Sequence, residues 1–441
     1  MAWKRIKPFN KLKKQTLRLR YIFKKPISQL ILFIILTSTL FLSLVLEENS
    51  SGGAKQDYYF LRQFVLDFTD NFFNGLDKFI NNSGSLIHSP FFYILISVFN
   101  KIFNNFFIFK IFYILVSSSL VLIFYKILKD KYLGKNEYYF FFALIIFFSP
   151  YFRSSAVWGL GDNLSLIFFG LFVVYINKII RGQNINKSFY YAAIFIILAS
   201  YVRYYYCAYY LIIIYFFFIN NLSKKKIFKI LFASFLMALP AIIYFVIIFK
   251  NNNFFNVLSG FGGLNYLHVI FDICLIILFY LIIFLIKNFN DVFNYYKKNY
   301  ILFITIFTIS FIIITIDFYT FRIINIRYNF GGGVIAKLFY ESKIDNYFLV
   351  FPFILTVLLI DYIFSGNRKF NYFIFFIVIL SMPLNIIYQK YLDPLFLFIL
   401  FGLIVSQKLN QIMNRQLIDI KYLYFYYILF LFSSNIYYSY P

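Results

Sequence analysis

Runs of roughly 15–23 apolar residues recur along the whole chain, separated by short clusters of Lys and Arg. They fall near 28–46, 106–125, 138–149, 163–177, 188–201, 205–220, 227–249, 267–286, 300–316, 346–363, 372–388, 392–406 and 421–436. A run of that length crosses the hydrocarbon of a bilayer as a helix, which satisfies its backbone polar groups internally. The composition leaves little alternative: 62% of the 441 residues are hydrophobic and 13% are charged, against about 45–50% and about 25% in soluble domains. No water-soluble core hides that much apolar surface. The expected fold class is an all-α polytopic membrane protein of about eleven to thirteen transmembrane helices. The shorter runs, such as 138–149, are expected to be inner helices or partly re-entrant segments.

The net charge is +25, but it does not mark a nucleic-acid binder. The positive charges sit in short clusters between apolar runs, which is how membrane topology is encoded. With residues 1–27 as a basic cytoplasmic N-terminus, the alternate loops are basic as well: "KILKDKYLGK", "SKKKIFK", "GNRK" and "SQKLNQIMNRQLIDIK". Roughly two-thirds of the 42 Lys and Arg then fall on the cytoplasmic side. No small-residue cleavage site follows Leu46, so 28–46 reads as a retained first span, and 28–441 as a single transmembrane domain. Cys207 and Cys274 fall inside apolar runs and imply neither a disulfide framework nor a metal cluster. The 67 Phe and 41 Tyr, with heavy use of Ile, Asn and Lys, match the codon bias of an AT-rich genome.

Residues 47–105 form the longest extracytoplasmic loop. From Asp57 the apolar positions run Leu61, Phe64, Val65, Phe68, Phe72, Leu76, Phe79 and Ile80, with Arg62, Asp67, Asp70, Asn74 and Asp77 opposite. That spacing predicts an amphipathic helix lying in the membrane interface. A second helix is expected to start at the proline of "SPFFYIL". Asp57 then stands at the head of one interfacial helix and His88 just before another.

One span, a long outer loop with an acidic residue, two interfacial helices and an "IHSPFFYIL" entry resemble the GT-C glycosyltransferases. "IHSPFFYIL" is similar to a stretch of the protein mannosyltransferase and aminoarabinose transferase branch. "YVRYYYCAYY", "RYNFGGGVIAKLFY" and "YQKYLDPLFLFIL" resemble the dolichyl-phosphate-glucose glucosyltransferases. The resemblance covers the layout and a handful of short stretches. It implies a GT-C-type bundle and a membrane enzyme that takes a sugar from a dolichyl- or undecaprenyl-phosphate donor. The acceptor would be a lipid-linked glycan or a protein on the extracytoplasmic or lumenal face. It also implies a first-loop carboxylate as general base, which maps onto Asp57. Many members carry two adjacent acids here. In this chain Asp57 is followed by Tyr58, so no metal or other cofactor is expected.

The chemistry points to the same residue types. Transfer from a phosphate-linked sugar needs a base for the acceptor hydroxyl and positive charge where the departing phosphate gathers negative charge. Arg153, Arg203, Arg322, Arg327 and Lys390 stand at span ends on the expected outer side. Snorkelling anchors are their alternative role. His88 orients a substrate phosphate or is a loop residue. Asp393, before Pro394, contacts the acceptor or starts a helix. Asp162 and Asn163 read as a helix N-cap, and Asp57 serves as base, as N-cap, or as both. The glycines 331–333 bring backbone N–H groups to a phosphate or act as a hinge.

Two other classes compete. An O-antigen polymerase or ligase is also polytopic, but its large outer loop usually comes late in the chain. A flippase or other transporter calls for charges in mid-span and related halves, whereas the ionisable groups here lie near span ends. A bacterial inner membrane is expected in preference to the endoplasmic reticulum.

Overall fold

In the computed structural model, every regular element among the described residues is helical. Those residues are 26–81, 89–250, 266–321, 331–344, 346–382 and 387–439. Six helices are long and apolar enough to cross a bilayer: Pro26–Val45, Phe106–Lys131, Gly161–Ile180, Ile185–Val202, Lys224–Ile247 and Tyr266–Ile283. Three bent pairs pass the same test together, as broken spans or re-entrant loops. They are Asn136–Phe148 with Pro150–Trp158 (66°), Asn288–Lys298 with Tyr300–Ile313 (98°), and Gln389–Leu403 with Gln407–Asn414 (100°). Phe91–Phe103, Tyr204–Ile219 and Val350–Phe364 are shorter apolar helices. The chain is an all-α, multi-pass integral membrane protein, with six to nine such spans among the described residues.

The breaks have local causes. The run at 138–149 ends in a 3-10 turn, Leu144–Phe148, and then meets Pro150, which has no N–H to continue a helix. Ser149 restarts the chain as an N-cap, its Oγ accepting from the Phe152 N–H at 3.1 Å. Pro394 interrupts the late segment in the same way, and a π-helical stretch, Ile399–Leu403, follows it.

Helix association in lipid rests on close packing rather than on escape from water. Gly161–Ile180 and Tyr266–Ile283 lie at the centre, 67% and 72% buried, while Pro26–Val45 and Lys224–Ile247 are only 22% and 17% buried and turn most side chains outward. A Cβ on Gly170 would press on Ile123 and Phe398, and one on Gly402 on Val173. These two glycines let the central span and the broken late helix approach closely. Phe398 packs at a tilt against Phe124 and Phe401 edge-to-face against Phe142, each pair with ring centroids 4.8 Å apart.

The two sides read from the charge pattern stay together in space. At one end, segment 126–135 meets 406–421 through Leu133 N–H to Asn414 Oδ1 (2.9 Å). There also, the buried Asp361 carboxylate collects Arg368 and the hydroxyls of Tyr295, Tyr296 and Tyr372. The other end gathers the loops that hold Asp57, Arg153, Asp162, Arg203, Lys390 and Asp393.

Candidate active site

The loop before Asp57 is fixed on many sides. Ser50 Oγ donates to Pro150 O (2.9 Å) and lies 3.0 Å from Ser154 Oγ, which accepts from the Ser51 N–H (2.9 Å). Ser434 Oγ donates to Ser50 O (2.6 Å), and Trp158 Nε1 donates to Glu48 O (2.8 Å). Gly52, at φ +82°, packs its backbone against the Tyr438 ring, so a side chain there meets both strain and a collision. From this anchored turn the amphipathic helix Ala54–Asp70 departs.

Asp57 is not the N-cap of that helix. Gly53 holds the cap position, and Asp57 lies in the first turn, its N–H bonded to Gly53 O (2.9 Å). Leu61, Phe64, Val65 and Phe68 are buried, as the spacing predicts. Phe72 instead begins a second short helix, Phe72–Asn81, and is largely exposed. Tyr58 faces the core. Lys110 Nζ lies 3.8 Å from the centre of its ring and 4.2 Å from that of Trp158. This desolvated cation–π contact fixes the roll of the helix. A second acid at position 58 would point into that cage, while Asp57 points away from it.

Asp57 opens onto a cleft of about 580 Å³ shared with Asp162, Arg203, Lys390, Tyr93 and Tyr391. Lys390 Nζ stands 3.7 Å from Asp57 Oδ2, and both side chains are about half exposed. Arg203 Nη2 bonds Asp162 Oδ2 at 2.8 Å across the same cleft. Asp162 was expected as an N-cap. Leu160 holds that position, and the carboxylate turns to Arg203 instead. Asn163 likewise bonds inward, to Phe152 O (3.0 Å).

Asp393 lies below the cleft, buried, with Oδ2 accepting from Ser149 Oγ at 2.7 Å. It lines a small chamber of about 40 Å³ together with Asp57, Asp162, Asn163 and Lys390. Asp57, Arg203 and the neighbouring Lys390 and Asp393 therefore converge from three distant parts of the chain.

Arg153 does not join them. Its Nε and Nη2 grip Glu48 at 2.9, 3.1 and 2.7 Å, Nη1 reaches Thr39 Oγ1 (3.1 Å) and Phe147 O (3.3 Å), and Nη2 also bonds Ser43. The expectation of a substrate contact is corrected to a buried clamp between the end of the first span and the helix Pro150–Trp158. Burial works to raise the Glu48 carboxyl, but its pairing with Arg153 and its bonds to Ser43 and Ser50 together outweigh burial and hold it below the ordinary value of 4.5. His88 and Arg327 lie outside the described residues.

The glycine run serves packing. A Cβ on Gly331 would collide with the Asp272 carboxylate and one on Gly333 with the Gln389 side chain. Gly332 and Gly333 adopt positive φ (74° and 67°) at the start of the helix Gly333–Glu341. That helix brings Lys337, which no expectation included, to a second cleft of about 440 Å³. Lys337 Nζ bonds Tyr438 Oη at 2.6 Å. Among the described residues, no group of three or more His, Cys, Asp or Glu could hold a metal ion. No protein-family model, curated protein or solved structure matches the chain significantly.

Proposed function

We propose that the protein is an integral-membrane glycosyltransferase with Asp57 as general base. It moves a sugar from a polyprenyl-phosphate donor to a hydroxyl of a lipid-linked glycan or protein on the extracytoplasmic face. The observation that supports this most is the setting of Asp57. It is a half-exposed carboxylate on an amphipathic helix, facing a 580 Å³ cleft that also receives Lys390 and Arg203.

The oxygen of the acceptor hydroxyl forms a bond to C1 of the sugar as its proton passes to an Asp57 oxygen. The C1–O bond to the phosphate breaks, and its electron pair stays on the phosphate oxygen. Negative charge grows there, and Lys390 is the cation nearest the base among the described residues, 3.7 Å away. Asp57 then returns the proton to water. The leaving phosphate remains tied to its lipid, so base and cation must act at the depth of the membrane interface. An amphipathic helix such as Ala54–Asp70 holds a residue at that depth.

The test supplies labelled polyprenyl-phosphate sugars to membranes containing the protein. Label is expected to pass to an acceptor with the wild type and to fall by about 100-fold or more with Asp57→Asn. The reading is overturned by absence of transfer from every carrier, by an equally active variant, or by label that crosses the bilayer with its linkage intact.

A further inference from the structure

Three cavities adjoin at the Asp57 end, and Lys390 lines all of them. On one side is the cleft of Asp57 and Arg203. On the other is the cleft of Lys337, which has an apolar side of Val334, Leu338 and Phe430 and a polar rim that includes Tyr438. The 3.7 Å pair of Lys390 with Asp57 is long and exposed, 44% and 50%. Such a pair is weak and easily exchanged, and a lysine stem is flexible enough to turn between neighbours. Lys337 has no carboxylate within ion-pair distance among the described residues, its bonded partner being the neutral Tyr438 hydroxyl. The second cleft thus offers two lysines against one acid, Glu341, which lines it from the same helix as Lys337 but makes no ion pair with it among the described residues. Its apolar side and cationic rim match an anionic head on a hydrocarbon tail.

We propose that the Lys337 cleft seats the phosphate of the lipid carrier, and that Lys390 passes from Asp57 to that phosphate on its arrival, releasing the carboxylate to act as base. This rests on the glycosyl-transfer reading above. The Asp57 oxygen that Lys390 contacts is then open to the acceptor hydroxyl. The charge balance follows the reaction. The donor is a phosphodiester with a single charge, and the departing monoester carries about −1.5 to −2 at neutral pH. Two lysines match the product better than one.

The experiment measures binding rather than transfer, so its failure is distinct from failure of the glycosyltransferase reading. Full-length protein in nanodiscs is titrated with sugar-free undecaprenyl phosphate. Asp57→Asn is expected to tighten binding about three- to tenfold, because Lys390 loses its competing partner. Lys390→Gln is expected to weaken binding about tenfold, and adding Asp57→Asn to it should change affinity by less than about twofold. Lys390→Arg should preserve the response to Asp57→Asn, and Lys337→Gln should weaken binding without abolishing that response. The exchange is overturned if Asp57→Asn has no effect, or tightens binding equally with and without Lys390, since the latter is a general loss of negative charge. Inorganic phosphate binding as tightly as the lipid would overturn the assignment to a carrier.

Discussion

Two ion pairs at the same end of the molecule join a carboxylate to a cation, and they are opposites. Glu48–Arg153 is bonded three times at 2.7–3.1 Å, with both side chains about one-tenth exposed. Asp57–Lys390 makes one contact at 3.7 Å, with both half exposed beside a cleft. The first uses its polar atoms on the protein itself and cannot receive a substrate without breaking the fold. The second keeps both partners accessible to something that arrives. Between these two pairs, saturation rather than charge or position separates a closed group from an accessible one.

The contrast can be broken first at its closed pair. Glu48→Ala leaves the Arg153 charge buried, and unfolding of the solubilised protein should become easier by about 3–5 kcal/mol. The double replacement Glu48→Leu with Arg153→Leu should recover most of that loss and keep transfer activity. A double variant that folds well but is inactive would return Arg153 to the substrate. Next in size, Asp57→Asn should lower transfer about 100-fold or more and leave the melting temperature within about 2 °C, as for a surface change. Melting of this variant would make Asp57–Lys390 a second structural clamp. Arg203→Gln tests the intermediate pair with Asp162. It should raise KM for the lipid donor about tenfold with little change in kcat, equal to about 1.4 kcal/mol. Unchanged kinetics would leave Arg203 as an anchor.

The smallest expected effect is in acid. The Glu48 carboxyl is held below its ordinary 4.5, so its pairing stabilises the fold fully above that value. The contribution is lost as pH falls through the lower folded value. Melting temperatures taken between about pH 6 and pH 3 should fall more steeply for the wild type than for the Glu48→Leu, Arg153→Leu variant. Parallel curves would mean that the clamp does not depend on the Glu48 charge.

The membrane class and the buried face of the helix after Asp57 were legible from the chain itself, because a long apolar run calls for a bilayer and a 3.6-residue apolar period for a helix with one covered face. The grouping of loops into two ends was legible too. Leu133 meets Asn414, and Asp57 meets Lys390, as the alternation of basic loops implies. Asp162 could have been paired with Arg203 on that basis, since each stands at a span end on the same side. A capping pattern near the start of an apolar run hid it. Lys337 carried no signal of its own, because nothing in "GGGVIAKLFY" shows that its lysine would meet Tyr438 a hundred residues later.

Local rules act over a few residues, and so the sequence by itself determined the helices, their breaks at Pro150 and Pro394, and the inward set of Leu61, Phe64, Val65 and Phe68. Partnership is a property of space. Arg153 and Lys390 look alike along the chain, each a lone cation near an outer span end. Tertiary packing placed Glu48, Ser43 and Thr39 around one and a single distant carboxylate beside the other. That difference in neighbours decides which cation is held by the fold and which stays accessible.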